Sequence, residues 1–144
     1  MSDAVLKLMA KIVTHIPEDG DLTLVILKGH LILEEELNAA VASRTPHSSF
    51  LVEAELEFDQ LLLVAKSQYF THEQSWVWGA AKKLNTIRNL FAHNLEPPEA
   101  GKKLEEFLQL VEGQIGIERA TVAERLRRSI AMVAAQIHQL RSAA

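Results

Sequence analysis

Apolar residues recur three and four positions apart along nearly the whole chain and β-branched alternation is scarce, so the pattern predicts an all-α protein. A first helix is expected over roughly residues 3–15, with Val5, Leu8 and Ile12 inward, ending at the turn-rich stretch IPEDGD. Asp21 stands where an N-cap is needed for a second helix over about residues 22–43. That helix is apolar on almost every side, through Leu22, Val25, Ile26, Gly29, Ile32, Leu33, Leu37, Ala40 and Val41, and belongs in the middle of a bundle. After the loop SRTPHSS a third helix is expected over roughly residues 50–68, with Leu51, Leu56, Leu61 and Leu62 inward. Its Glu53, Glu55, Glu57 and Asp59 form a solvated face.

Thr71 and Gln74 have capping-box spacing and open a fourth helix near residue 72. It runs to about residue 94, where Pro97 and Pro98 forbid continuation. The segment KKLEEFLQLVEGQI buries Leu104, Phe107, Leu108 and Val111. A second capping box, Thr121 with Glu124, opens a last helix with Val122, Leu126, Ile130, Val133, Ile137 and Leu140 inward, and Arg125, Arg127 and Arg128 on or beside its outer face. No repeat or low-complexity linker interrupts the chain. The expectation is an up-and-down bundle of five or six helices, a single domain over residues 1–144.

With 144 residues and 48% of them hydrophobic, the chain can bury a substantial core. The absence of cysteine excludes disulfides, thiolate metal sites and cysteine nucleophiles. The N-terminus lacks the pattern of a secretory signal, and the longest apolar run, Leu22 to Leu33, is interrupted by Lys28 and His30 and too short to span a bilayer, so a soluble, cytoplasmic protein is expected. Residues 1–70 carry 5 Lys/Arg against 11 Asp/Glu, a net −6, while residues 71–144 carry 10 against 8, a net +2. That asymmetry argues against indiscriminate binding along a nucleic-acid backbone and leaves room for a local basic site in the second half.

The candidate chemistry lies in the fourth helix. At about 100° per residue, Ala80, Leu84, Ile87 and Phe91 line a core stripe, whereas Asn85, Asn89 and His93 fall on another, turned away from the core, with Arg88 at the margin. A face chosen only for solubility would favour Glu, Lys, Gln and Ala; two asparagines in five residues are costly to a helix. The second helix carries a matching set, His30, Glu34 and Asn38, spaced four apart among Leu27, Leu31, Leu37 and Val41. An imidazole and a carboxylate in that setting need partners, and a polar cleft shared by the two helices supplies them. Glu36 falls near the Val25–Gly29–Ile32 stripe and is expected to pair with Arg88 or a lysine. His30, Glu34 and His93 could together ligate a divalent ion, but the Glu-x-x-His repeats of di-iron bundles are missing, so no metal and no cofactor are expected. Trp76 and Trp78, two apart, cannot share a helix face, so one is expected in the core and the other at an interface.

The stretch RNLFAH, residues 88–93, resembles the R-x(4–6)-H motif of the HEPN superfamily, small helical-bundle proteins of which many are ribonucleases. LKGHLILEEELN is similar to that family's preceding core helix, and the resemblance covers most of residues 20–112. It implies a homodimer in which motifs from two copies converge on one cleft. The implied chemistry is metal-independent RNA cleavage, with the ribose 2′-hydroxyl attacking the adjacent phosphate. Arg88 and His93 would be the catalytic pair, Arg88 binding phosphate and His93 moving protons. Asn89 would orient His93 or bind substrate, with Asn85, His30 and Glu34 in support. The implied setting is a toxin–antitoxin or phage-defence system, with a nucleotidyltransferase-like antitoxin as a partner and no membrane. Other members are regulatory or protein- and nucleotide-binding modules without catalysis, and this is the alternative expectation.

Overall fold

The computed structural model describes residues 3–16, 21–117 and 119–143; most of the expected turn IPEDGD, residues 17–20, lies outside the described residues. The described residues form seven helices and no strand: α1 (Asp3–His15), α2 (Leu22–Ser43), α3 (Ser49–Glu53), α4 (Phe58–Tyr69), α5 (Trp76–His93), α6 (Ala100–Ile115) and α7 (Val122–Ser142). The all-α expectation holds. The count exceeds the expected five or six because the segment taken as one third helix is two, parted at Glu55, whose φ of 49° lies in the left-handed region and ends α3. Glu57 then takes the N-cap position of α4, and its N–H donates to Gln60 Oε1 (3.0 Å).

Local chemistry sets the other boundaries. Asp21 Oδ1 accepts from the Thr23 N–H (3.0 Å) and starts α2 at the expected residue. The Thr121–Glu124 box forms in both directions, each bond 3.2 Å. Of the expected Thr71–Gln74 box only the hydroxyl half forms, Thr71 Oγ1 accepting from the Gln74 N–H (3.3 Å), and a turn intervenes before α5 begins at Trp76 rather than near residue 72. α5 ends at His93, and Asn94 Oδ1 holds the exit by accepting from the Glu96 N–H (3.1 Å).

α2 is the central element, packed against α1, α4, α5 and α7. Its buried residues Val25, Ile26, Ile32, Leu33, Leu37, Ala40 and Val41 join Leu84 and Ile87 of α5, Phe107 and Leu108 of α6, and Leu126, Ile130 and Ile137 of α7 in one continuous core. The Tyr69 hydroxyl, at the end of α4, donates to the Ala40 carbonyl (2.6 Å) and ties α4 to α2. Trp78 is buried in the core, as one of the two tryptophans was expected to be, and Trp76 is half-buried against the same core.

Two expectations about charged groups are corrected. Glu36 faces His138 Nδ1 of α7 at 3.0 Å, not Arg88 or a lysine, because its side of α2 packs on α7. Arg125 is not on an outer face; it reaches Glu112 (2.6 and 3.1 Å) and Glu105 (3.0 Å) of α6. Its hydrogen bonds hold the buried Glu112 carboxyl below the usual carboxylate range. Arg128 donates to the Gly116 and Ile115 carbonyls that end α6 (3.0 and 3.3 Å). Among the described residues no helix is long and apolar enough to cross a membrane.

Candidate functional site

Where α2, α5 and the start of α4 meet, a cleft of about 420 Å³ opens, lined by His30 and Glu34 of α2, Leu56, Glu57, Phe58 and Asp59 at the start of α4, and Asn85, Arg88 and Asn89 of α5. Five of the six site residues expected from the sequence line it. The sixth, His93, is the exposed last residue of α5 and is not part of its wall.

Asn85 departs from its expected orientation: it is buried, 7% exposed, and does not turn away from the core with Asn89 and His93. The core stripe of α5 is wider than Ala80, Leu84, Ile87 and Phe91 suggest. Trp78 and Ala81 are also buried, and Asn85 lies seven and four residues beyond them, on the same side of the helix. Each step of four turns the face by a further ~40°, so Asn89 emerges at the rim and His93 in solvent.

At the cleft floor Asn85 Nδ2 donates to Asp59 Oδ1 (3.0 Å), while Asn85 Oδ1 lies 2.9 Å from His30 Nε2. The His30 ring lies against Phe58, centroids 4.2 Å apart and planes tilted by 35°. Burial lowers the His30 pKa below its ordinary 6.5, and the positive charge of Arg88 adds to the effect. The hydrogen bond to Asn85 and the charges of Glu34 and Asp59 act in the opposite direction without reversing it.

Arg88 is half-buried at the cleft edge, and among the described residues its guanidinium makes one hydrogen bond, a long contact of 3.4 Å to Asn89 Oδ1. Asn89 thus accepts from Arg88, and among the described residues its side chain makes no hydrogen bond to His93. Among the described residues no carboxylate forms an ion pair with Arg88. Asn38, in stripe with His30 and Glu34, lies on a neighbouring groove between α2 and α3 and does not reach the cleft. Among the described residues no group of three or more His, Asp or Glu side chains is placed to hold a metal ion, and His30, Glu34 and His93 are not gathered into one.

Sequence reasoning missed Glu57, Phe58 and Asp59, taking the two acids for part of a solvated face. The available signal was the pair Phe58–Asp59 inside an acidic run: a large aromatic favours burial, and where it packs inward it carries its neighbour to the edge of whatever it packs on. Set beside models of known protein families, curated proteins and solved structures, the chain matches none of them.

Proposed function

We propose that this chain is a HEPN-like, metal-independent endoribonuclease, acting as a homodimer in the cytoplasm as a toxin or phage-defence component. The observation that supports it best is the state of Arg88. In a cleft that also contains three carboxylates, its guanidinium forms no ion pair among the described residues, so its donor fork remains available to a phosphate. His93 lies five residues along the same helix and is exposed, and an imidazole can take up and release a proton. A second copy packed on this face would place two Arg88–His93 pairs beside one strand of RNA. The ribose 2′-hydroxyl then attacks the adjacent phosphorus, Arg88 stabilises the charge that develops on the phosphoryl oxygens, and the products carry a cyclic phosphate and a free 5′-hydroxyl.

Arg88→Ala and His93→Ala are each expected to lower cleavage of single-stranded RNA in the presence of a chelator by at least about 100-fold, and to relieve growth arrest on expression, without changing helicity or thermal midpoint. Cleavage at the wild-type rate by both variants, in preparations free of contaminating nuclease, overturns the assignment.

A second reading is favoured by the charges facing Arg88: Glu34, Glu57 and Asp59 repel a polyanion. On that reading the cleft belongs to a non-catalytic module that binds a partner protein or a nucleotide. Its signature is the absence of cleavage and toxicity together with a defined partner co-purifying in fixed stoichiometry.

A further inference from the structure

The hydrogen bonds among Asp59, Asn85 and His30 have only one consistent assignment. An ionised carboxylate only accepts, so Asn85 presents its Nδ2 amide to Asp59. Its Oδ1, which also only accepts, is then the atom facing His30, and the hydrogen of that bond must sit on His30 Nε2. A neutral His30 therefore carries its lone pair on Nδ1. That nitrogen makes no hydrogen bond among the described residues and is not one of the side-chain atoms sealed from solvent without a partner. The ring is fixed by Phe58 and by Asn85, and the charged groups around it are Glu34 on its own helix, Glu57 and Asp59 from the start of α4, and Arg88 from α5.

We propose that His30 is the proton acceptor of this cleft, held in one tautomer by Asn85 and Asp59, a role that rests on the ribonuclease reading for its substrate. In the reaction the 2′-hydroxyl O–H bond breaks and its proton passes to His30 Nδ1 as the O2′–P bond forms. The P–O5′ bond breaks, and the departing O5′ takes a proton from the His93 imidazolium. Water then returns a proton to His93 and removes one from His30, so both histidines regain their starting states. This divides the work between a buried imidazole that is neutral near pH 7 and an exposed one that exchanges protons with solvent. Asn85 and Asp59 are positioning residues: they touch the base, not the substrate.

The test measures RNA cleavage across about pH 5 to 9 for wild type, His30→Gln and Asp59→Asn, together with the imidazole ¹⁵N resonances of the full chain. Glutamine retains a donor toward Asn85 but cannot act as a base. The expectation is a loss of about 100-fold or more in His30→Gln, with the acidic limb of the pH–rate profile gone. In Asp59→Asn, whose amide can donate as well as accept, the His30 resonances move from the pure Nε2–H pattern toward a mixture, and the acidic limb shifts while RNA binding is retained. Wild-type resonances showing the proton on Nδ1 overturn the tautomer assignment and the base role with it. Cleavage by His30→Gln within about threefold of wild type, acidic limb intact, overturns the base assignment while leaving the ribonuclease reading in place. No cleavage by wild-type protein overturns the ribonuclease reading and the base role with it. If His30→Gln does not fold, Asp59→Asn decides alone: an unmoved acidic limb overturns the proposal.

Discussion

Asn85 and Asn89 offer an internal comparison, because they lie one turn apart on α5 and differ in burial and partners. Replacing either by alanine improves helix propensity by roughly 0.5 kcal/mol. At Asn89 little opposes that gain, since the residue is exposed and its side chain makes, among the described residues, no hydrogen bond but the long contact from Arg88. At Asn85 the substitution strips a partner from His30 Nε2–H, whose residue is 4% exposed, and takes a donor from Asp59. A buried donor left unpaired costs about 1–3 kcal/mol, and Asp59, being exposed, recovers its loss from water. Asn85→Ala should therefore destabilise by about 1–2 kcal/mol while Asn89→Ala stabilises by a few tenths. For a chain of this length 1 kcal/mol moves the thermal midpoint by about 3 °C, so Asn85→Ala should melt about 3–6 °C below wild type and Asn89→Ala slightly above it. Urea titration of the three proteins, with m-values compared, gives the same difference as free energy. Equal midpoints for the two variants would refute the claim that the His30–Asn85–Asp59 chain holds these helices together.

Other substitutions test the frame around the cleft. Arg125→Ala leaves the buried Glu112 carboxylate without its main partner and should cost about 3 kcal/mol in urea unfolding, while Glu105→Ala, on the exposed side of the same cluster, should cost less than about 1 kcal/mol. The Glu112 pKa is depressed in the folded state, so its contribution is present above its ordinary 4.5 and disappears as pH falls through the folded value; the Arg125→Ala penalty should shrink there. The His30 pKa is likewise lowered by folding, so the unfolded chain binds the extra proton: stability attributable to His30 is full above about pH 6.5 and declines as pH drops below it, a slope that His30→Gln should remove. Glu55→Gly removes the cost of a left-handed side-chain residue and should raise stability by about 1 kcal/mol.

Much of the frame was legible because it depends on interactions a few residues long. Asp21 bonds two residues ahead and Thr121 three ahead, so the starts of α2 and α7 can be located from composition alone. The all-round apolarity of residues 22–43 similarly places α2 at the centre, since no single neighbour could cover it. What could not be read is which neighbour each secondary face meets. Asn85 looked solvent-facing because only one buried stripe was assigned to α5, whereas Trp78, Ala81 and Asn85 form a second, on which Asn85 meets His30 of α2 and Asp59 of α4. Glu36 and His138 are 102 residues apart, and nothing in the periodicity of α2 indicates α7 as its neighbour.

The cleft itself follows from the feature that the hydrophobic pattern concealed. One helix over residues 50–68 is the expectation, with Leu51, Leu56, Leu61 and Leu62 inward and Glu57 and Asp59 solvated, although steps of five turn a helix face by about 140° and scatter those leucines around it. Glu55 turns left-handed instead, α3 stops, and α4 begins anew at Phe58 with Glu57 at its cap. A helix that restarts can take a new direction, and this one lays Phe58 on the His30 ring and delivers Asp59 to Asn85. The break therefore supplies the carboxylate that fixes the Asn85 amide, and through it the His30 tautomer. Glu55→Gly preserves that left-handed turn and should leave the His30 resonances unchanged. Glu55→Pro cannot adopt a positive φ, and it should loosen α4 from α2 and release His30 into both tautomers. A Glu55→Pro protein with wild-type His30 resonances would show that the cleft does not depend on the break.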